Sequence, residues 1–436
     1  MINRRELLAG VGAYAVAPRP DRLISNDDLR FLRELAAATL AGATKTESKS
    51  GLGFAAITPG GAYPSLWIRD FSMATGCGCV SLSALHTHLR AIAAGQNDHE
   101  RRFGDRAFIP QYAIPDHINY QGGSVFFPGT YSSGDDQGGE PYGALPPMDD
   151  HFEFIHIGHQ LWSQTGSRAF LGETINGQSL LSRLRRAFDC PTTDAETGLC
   201  MTRPGSRAVG FGFCDGIYLT GKLLFPSVLR HRALGELIEL YRAARETSPI
   251  ASLEAERRKI EHNIIPTFLD RGWLKAATDV GQQPDVWGTA FALYQNVVTG
   301  RTRRLLLRTV VQATRGGTIT HAGGVRHVPT DADFSKTTAW EQTAGEELNR
   351  YQNGAYWHVP TGWLACALAE VDRPLAQRLV RDMVQHFRDE DFRKPGGGAP
   401  WECFHPDGRY RQNPVYLASV TLPLECLTRW ESGVRN

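Results

Sequence analysis

The chain has 436 residues, 42% of them hydrophobic, and carries 47 basic against 46 acidic side chains. This hydrophobic fraction excludes a disordered chain, and a net charge of +1 gives no reason to expect a nucleic-acid or anionic-membrane partner. Eight cysteines are too few for a disulfide scaffold, although Cys190 and Cys200 bracket a turn-rich stretch and could pair in an oxidising compartment.

The N-terminus has the pattern of an export signal. Arg4 and Arg5 precede an apolar run that ends at Ala15-Val16-Ala17, a small-x-small cleavage pattern, and the whole resembles a twin-arginine signal. The run of about eleven residues is too short to span a membrane. We therefore predict an export signal over 1–20, one domain over 21–436, and a periplasmic or secreted protein. A cytoplasmic location is the alternative if the two arginines are incidental.

Apolar periodicity predicts a helical protein. Ser25, with Asp28 three residues later, has the form of a capping box at the start of the first helix. Residues 97–147, rich in Gly, Pro, Asp and Tyr, are predicted to be a long irregular segment of the kind that carries function. Further helices are predicted at about 71–94, from 148 onward, and at 177–188, 217–247, 254–269, 286–298, 302–314, 353–371, 374–387 and 416–431.

The loops between these helices alternate in character. Every other loop is long and holds aromatic residues, acidic residues and glycine, whereas the intervening loops are short. Helices joined in pairs, with the rich loops at one end, are typical of a closed ring of helical hairpins. We predict an all-α fold, an (α/α)6 barrel, with the candidate site in the long loops.

One short stretch concentrates groups that suit a sugar. Within Tyr63–Ala74, Trp67 offers a flat apolar face, and Arg69 with Asp70 offers a hydrogen-bonding fork for hydroxyl groups. The alternative is an Arg–Asp ion pair that only fixes the start of a helix.

Other carboxylates also stand beside aromatic residues in the long loops. Glycoside hydrolysis needs one carboxylic acid to protonate the leaving oxygen and a second carboxylate, so such pairs favour a carbohydrate site. Capping remains an alternative for three of them, Asp149 and Asp150 at the helix they begin and Asp285 at the helix entered by Trp287. The candidates are Asp70, Asp149, Asp150, Asp215, Asp285, Glu341 and Glu402.

Four motifs in matching order resemble the six-hairpin glycosidases, which include glucoamylases, trehalases and processing α-glucosidase I. They are Trp67-Ile-Arg-Asp70, the Gly-x-Cys-Asp-Gly segment around Asp215, Tyr351–Trp357 and Trp401–Gly408, and the resemblance spans residues 51–427. It implies an active site at one end of the barrel and an inverting glycoside hydrolase.

Carried over by motif, the resemblance makes Asp215 the general acid, Glu402 the general base that activates water, and Arg69 with Asp70 the sugar-binding pair. Cys214 stands where that family usually has a tryptophan, which leaves Asp149 or Asp150, and then Glu341, as alternative acids. An inverting mechanism requires Asp215 to be protonated while Glu402 is ionised, with the two carboxyl groups about 6.5–9.5 Å apart.

The predicted ligand is a carbohydrate, with no metal or cofactor. Cys77 and Cys79 have no partner pair at metal-ligand spacing, and of His151, His156 and His159 only the last two share a helix face, with no obvious carboxylate partner. The rivals are a polysaccharide lyase, a sugar epimerase, or a carbohydrate-binding protein without turnover. The predicted substrate-binding residues are Trp67, Arg69, Asp70, Asp149, Asp150, Trp287, Gln352, Asn353, Tyr356, Trp357 and Trp401.

Overall fold

The computed structural model describes residues 22–434. Helices dominate this part of the chain, as the periodicity predicts. The α-helices are α1 Asn26–Ala43, α2 Glu47–Ser50, α3 Ile68–Ser72, α4 Leu82–Gly95, α5 Asp149–Thr165, α6 Leu180–Phe188, α7 Leu224–Ala244, α8 Ile250–Phe268, α9 Val286–Tyr294, α10 Gly300–Arg315, α11 Thr361–Ala369, α12 Arg373–Asp389 and α13 Ala418–Glu431.

The helices form two concentric rings. The inner ring is α3, α5, α7, α9, α11 and α13, and each of these helices contacts the next. The outer ring is α1, α4, α6, α8, α10 and α12, whose outward faces are exposed, whereas α9 and α11 are buried along nearly their whole length. Thr421 of α13 donates to the carbonyl of Met73, just after α3, at 3.1 Å and so joins the ends of the inner ring. The predicted (α/α)6 toroid is confirmed.

Helix starts follow local capping chemistry. Ser25 Oγ accepts a hydrogen bond from the Asp28 backbone N–H at 3.0 Å, as predicted for α1. Asp285 caps α9 by accepting from the Gly288 N–H at 2.7 Å. Asp149 and Asp150 lie in the first turn of α5, but that helix has no side-chain cap. Capping therefore accounts for Asp285 and not for Asp149 and Asp150.

Three predicted helices begin or break elsewhere. The predicted helix at 71–94 is divided between α3 and α4, because Gly78 takes a φ of 80° and Ser81 caps a new helix by accepting from the Ala84 N–H. The predicted helix at 217–247 starts only at Leu224, since Gly221–Lys222 pair with Met201–Thr202 as strands. The predicted helix at 353–371 starts only at Thr361, because a strand precedes it.

The loops between the helices hold many short strands, most of which the sequence does not predict. Runs of two to four residues are too short for alternation to show in the sequence. The strands are β1 Thr44–Lys45, β2 Ala56–Ile57, β3 Ser65–Trp67, β4 Arg101–Phe103, β5 Ala107–Ile109, β6 His117–Asn119, β7 Ser124–Val125, β8 Thr174–Ile175, β9 Gln178–Ser179, β10 Met201–Thr202, β11 Gly221–Lys222, β12 Leu269–Asp270, β13 Trp273–Leu274, β14 Thr320–His321, β15 Gly324–Arg326, β16 Tyr356–Trp357, β17 Trp401–Phe404 and β18 Arg411–Pro414. The main sheet is antiparallel with the order β14-β15-β16-β17-β18, and a second has the order β3-β6-β7.

The predicted export signal at 1–20 lies outside the described residues. Within 22–434, no helix combines the length and the apolar character needed to cross a membrane.

Candidate active site

A cavity of about 190 Å³ opens among the long loops. Its walls come from segments far apart in sequence, and it brings together five of the predicted residues, among them both predicted catalytic carboxylates. The lining residues are Tyr63, Trp67, Arg69, Asp70, His117, Pro128, Gly129, Thr130, Tyr131, Tyr142, Gly212, Phe213, Asp215, Tyr351, Glu402 and Tyr416.

One wall is aromatic. Trp67 on β3 lies directly opposite His117 on β6, and because cross-strand partners share a sheet face, their rings stack with centroids 4.4 Å apart. Tyr131, 54% exposed, meets the Trp67 ring edge-on at 5.8 Å. Trp67 is itself only 8% exposed, because His117 stacks on it and the Tyr63 ring meets it edge-on at 4.9 Å, so Tyr131 supplies most of the exposed aromatic surface of this wall.

Arg69 is the electrostatic centre behind this wall. Its guanidinium is buried and donates to Asp149 at 2.8 Å, to Asp116 at 2.8 Å and to Asp150 at 3.0 Å. Burial by itself lowers the pKa of a guanidinium, but these three carboxylates raise that of Arg69 well above its ordinary value. Arg69 is therefore held charged in one position.

Asp149 also positions the loop that carries Asp215. Its Oδ2 accepts a hydrogen bond from the Gly212 N–H at 2.8 Å, at the start of the short 3₁₀ turn Gly212–Cys214. A Cβ at Gly212 would lie 2.0 Å from Arg69 Cζ, so only glycine allows this close approach. Asp149 and Asp150, named as alternative acids and as sugar-binding residues, do not line the cavity but bind Arg69 behind it.

Asp215 follows that turn and is half-buried at the cavity wall. Gln352 braces the same turn, since its Oε1 accepts from the Gly216 N–H at 2.8 Å and its Nε2 donates to the Gly212 carbonyl at 3.1 Å. Burial raises the pKa of Asp215 to about 6, against the lowering effects of Gln352 and Arg69. Asp215 therefore holds its proton to a higher pH than an ordinary aspartic acid.

Glu402 lies on β17 and is fully buried at the cavity wall. Tyr63 donates its hydroxyl hydrogen to Oε1 at 2.8 Å, and Asn413 on the neighbouring strand donates to Oε2 at 2.5 Å. Burial raises the pKa of Glu402 to about 8, although both donors lower it. The pKa of Glu402 therefore lies above that of Asp215, the reverse of the expected order, because Glu402 is the less exposed of the two and lies near the charges of Asp70 and Asp215.

Asp70 is the third carboxylate at the cavity. The Tyr416 hydroxyl donates to its Oδ1, and burial raises the pKa of Asp70 to about 6. Asp70 and Arg69 are not paired with each other in a simple fork, because Arg69 is turned towards Asp149, Asp116 and Asp150.

Three predicted aromatic residues lie in the core instead of the cavity. Trp287 is stacked on His327 and donates to the Val325 carbonyl, and Trp357 donates to the Tyr351 carbonyl. Tyr356, on the same strand as Trp357, is buried, and its ring contacts those of His321 and Phe404.

The remaining predicted residues lie outside the cavity lining as well. The Trp401 ring nitrogen donates to Glu390 at 2.7 Å, on the opposite face of β17 from Glu402. Asn353 binds Thr338 and the Ala339 N–H within its own loop. Gln352 forms hydrogen bonds with Gly212 and Gly216 on either side of Asp215. Glu341, the last alternative acid, is exposed and accepts from the Gly281 N–H at 2.7 Å.

The sequence did not single out several cavity residues. His117, Tyr131 and Tyr142 come from the irregular 97–147 segment, whose density of Tyr, Asp and Gly was the available signal. Tyr63 and Tyr416 line the cavity and hold Glu402 and Asp70 by hydrogen bonds.

All eight cysteines are free thiols, including Cys190 and Cys200. Over residues 22–434, no group of three or more His, Cys, Asp or Glu side chains has the arrangement of a metal site.

No protein-family model and no curated protein matches the chain. Among solved structures, the GH63 mannosylglycerate hydrolase from Thermus thermophilus, in complex with glucose, is similar at 15% identity and a TM-score of 0.59 over 90% of this chain and 99% of that chain. A rhamnosidase from Klebsiella oxytoca with rhamnose bound is similar at 12% identity and a TM-score of 0.57, over 94% of this chain and 65% of that chain. A wild-type glycosidase is similar at 14% identity and a TM-score of 0.55, over 95% of this chain and 100% of that chain. At these identities the likeness establishes the fold alone, an (α/α)6 toroid.

Proposed function

We propose that this six-hairpin toroid is a glycoside hydrolase that inverts the anomeric centre, with Asp215 as general acid and Glu402 as general base. The observation that carries the proposal is the presence of these two carboxylates in one cavity beside the aromatic wall of Trp67 and Tyr131. An apolar platform and two carboxylates are the parts that glycosidic bond cleavage needs.

The hydrogen bonds of Glu402 suit the base. Each of its oxygens accepts from a separate donor, Tyr63 or Asn413, an arrangement that orients an ionised carboxylate. In the proposed reaction Glu402 takes a proton from a water molecule as that water attacks the anomeric carbon. Asp215 gives its proton to the leaving oxygen. Because the pKa of Glu402, about 8, lies above that of Asp215, about 6, the reactive form with Asp215 protonated and Glu402 ionised is the minor one of the two singly protonated forms. The glycosidic C–O bond breaks as the new C–O bond forms.

The cavity volume bears on the substrate. About 190 Å³ is below the roughly 300–1,000 Å³ of sites for drug-sized ligands, so the cavity suits one terminal sugar ring. The similar structures carry glucose or rhamnose, which are single sugars. We propose a glycoside or short oligosaccharide as substrate.

Turnover on a panel of aryl glycosides and natural oligosaccharides tests the proposal. We expect one sugar to be cleaved, and Asp215→Asn and Glu402→Gln each to lose about a hundredfold or more in rate, the usual contribution of acid or base catalysis. Asp285→Asn is the matched control, because Asp285 is a buried aspartate that caps α9 outside the cavity. Absence of any turnover, or normal rates in both variants, would contradict the proposal.

We also propose that the chain is exported through its twin-arginine signal. Arg4, Arg5 and the short apolar run that follows support this. Replacing both arginines by lysine is expected to retain the protein in the cytoplasm, as measured by cell fractionation. An unchanged distribution would contradict the proposal.

A further inference from the structure

His117 is a buried histidine whose two ring nitrogens have different surroundings. It is 1% exposed, lines the cavity and stacks on Trp67. Its Nδ1 lies 2.7 Å from Asp116 Oδ2, whereas its Nε2 has no hydrogen-bond partner in the described part of the chain. A buried polar atom without a partner is costly and calls for an explanation.

Asp116 fixes which nitrogen carries the proton. It is fully buried, and its other oxygen accepts from Arg69 at 2.8 Å. Burial would raise the pKa of Asp116, but Arg69 and His117 together lower it to about 2, so it remains an ionised acceptor. The hydrogen must therefore lie on His117 Nδ1, which leaves a lone pair on Nε2 when the ring is neutral.

Buried histidines of this protein fall into two groups. His231 and His358, like His117, each leave one buried ring nitrogen without a hydrogen-bond partner among residues 22–434, whereas His88 and His151 do not. His88 Nε2 accepts from the Ile57 N–H at 3.0 Å, and His151 Nε2 accepts from the Ile114 N–H at 3.3 Å. Both bond a backbone carbonyl through Nδ1, so both nitrogens are satisfied within the core. His117 has the same tautomer as His88 and His151, and it differs from the other histidines with an unmatched nitrogen because it lines the cavity that holds Asp215 and Glu402.

We propose that His117 Nε2 accepts a hydrogen bond from one hydroxyl group of the sugar in this cavity, and so makes that hydroxyl a requirement for binding. This inference rests on the proposed function only in taking the ligand of the cavity to be a sugar. Trp67 and Tyr131 supply the apolar surface beside the imidazole, and the Arg69–Asp116 pair holds the ring in place. A site built to bond a hydroxyl rejects the analogue that lacks it, because the buried acceptor is then left unpaired.

Calorimetric titration with free monosaccharides tests this without depending on hydrolysis. Glucose, mannose, galactose and rhamnose are titrated first, and the best binder is then compared with its monodeoxy and monodeoxyfluoro forms. We expect one deoxy form to bind the wild type about 10- to 100-fold more weakly than the parent, as the loss of one hydrogen bond at a buried acceptor implies. The deoxyfluoro form at that position should be equally weak, because fluorine cannot donate.

Two variants separate recognition from packing. His117→Phe keeps an aromatic ring beside Trp67 but has no acceptor, so it should weaken the parent sugar by the same factor and leave that one deoxy form unaffected. His117→Gln, whose amide oxygen reaches towards the position of Nε2, should restore part of the loss.

Equal weakening of the parent and every deoxy form by His117→Phe would overturn the proposal, as would a deoxyfluoro sugar that binds as tightly as the parent, or no monosaccharide binding at all. If His117→Phe weakens the parent sugar but not the one deoxy sugar, and no glycoside is hydrolysed, the result supports this inference and contradicts only the proposed hydrolase activity.

Discussion

Tyr63 donates its hydroxyl hydrogen to Glu402 at 2.8 Å, although 339 positions separate the two residues in the chain. Tyr63 stands just before β3 at the beginning of the toroid, and Glu402 stands on β17 near its end. This bond therefore joins the first and last parts of the cavity and acts directly on the proposed base.

Tyr63→Phe is expected to raise the pKa of Glu402 further. A hydrogen bond to a charged group contributes about 1.5–3 kcal/mol, and 1.36 kcal/mol corresponds to one pKa unit, so the rise is about one to two units above the present value near 8. The alkaline limb of the kcat/KM profile should move upward by that amount. If Glu402 is the base, kcat/KM between the limbs should also fall about 10- to 100-fold.

The control for this prediction is Tyr120→Phe. The Tyr120 hydroxyl has no hydrogen-bond partner among residues 22–434, and Tyr120 does not line the cavity. Its profile should match the wild type. If the alkaline limb of Tyr63→Phe does not move, that limb does not report the ionisation of Glu402.

The pH profiles of the two carboxylate variants assign acid and base. With pKa values near 6 for Asp215 and near 8 for Glu402, the wild type should show a bell-shaped dependence of kcat/KM on pH. Its two limbs report the pair of carboxyl groups together, so the wild-type profile alone does not say which residue is the acid and which is the base. If Glu402 is the base, Glu402→Gln should lose the acid limb, and its activity should decline above about pH 6 as Asp215 deprotonates. If the roles are reversed, Glu402→Gln should instead lose the alkaline limb.

A glycosyl fluoride of the accepted sugar gives a second measurement of the same assignment. Fluoride needs less protonation than a sugar oxygen to leave, so the acid variant should retain far more activity on the fluoride than on the natural glycoside. We expect Asp215→Asn to retain its activity on the fluoride in this way. If Glu402→Gln retains it instead, the two roles are reversed.

Gly212→Ala is expected to lower both stability and activity. The new Cβ would lie 2.0 Å from Arg69 Cζ, so either the guanidinium or the turn that leads to Asp215 must move. Overpacking of this kind costs about 1–3 kcal/mol in the free energy of unfolding, measurable by guanidinium denaturation. Gly172→Ala is the control, because its Cβ meets open space and should change stability by no more than about 0.5 kcal/mol.

Asp285→Asn is expected to stabilise the protein in a pH-dependent way. Burial raises the pKa of Asp285 to about 7 from an ordinary value of 3.8, so between these values the folded state binds a proton that the unfolded state has lost. The wild type therefore loses stability as pH rises through this window, whereas asparagine keeps the cap and does not titrate. The variant's advantage should grow from pH 4 to about pH 7, by about 3 to 4 kcal/mol, and then level off. A constant difference from pH 4 to 8.5 would contradict this.

The sequence predicted the helical toroid and the candidate catalytic residues better than it predicted the aromatic wall of the cavity. Asp215, Glu402 and Trp67 were found because short motifs stand in a fixed order, and the structure places them at one cavity. His117 and Tyr131 lie in a segment without helical or strand periodicity, so only the folded chain shows that they meet Trp67.

Strand register explains why some predicted residues fell elsewhere. Successive residues of a strand face opposite sides, so Trp401 and Glu402 cannot both face the cavity. Trp401 bonds Glu390 on the other face. Trp287 and Trp357 were chosen for their acidic or amide neighbours, but the extent of their burial depends on packing partners such as His327 and Phe213 that no local pattern reveals.

The closing hydrogen bond between α13 and the segment after α3 has a consequence for the order of events during synthesis. Trp67 and Asp215 leave the ribosome long before Glu402, Asn413 and Tyr416, which belong to the last strands and to the entry of α13. A nascent chain that stops before residue 400 would carry Trp67 and Asp215, the proposed acid, without Glu402, the proposed base. Any hydrolytic activity would therefore arise only once the final hairpin has joined the first.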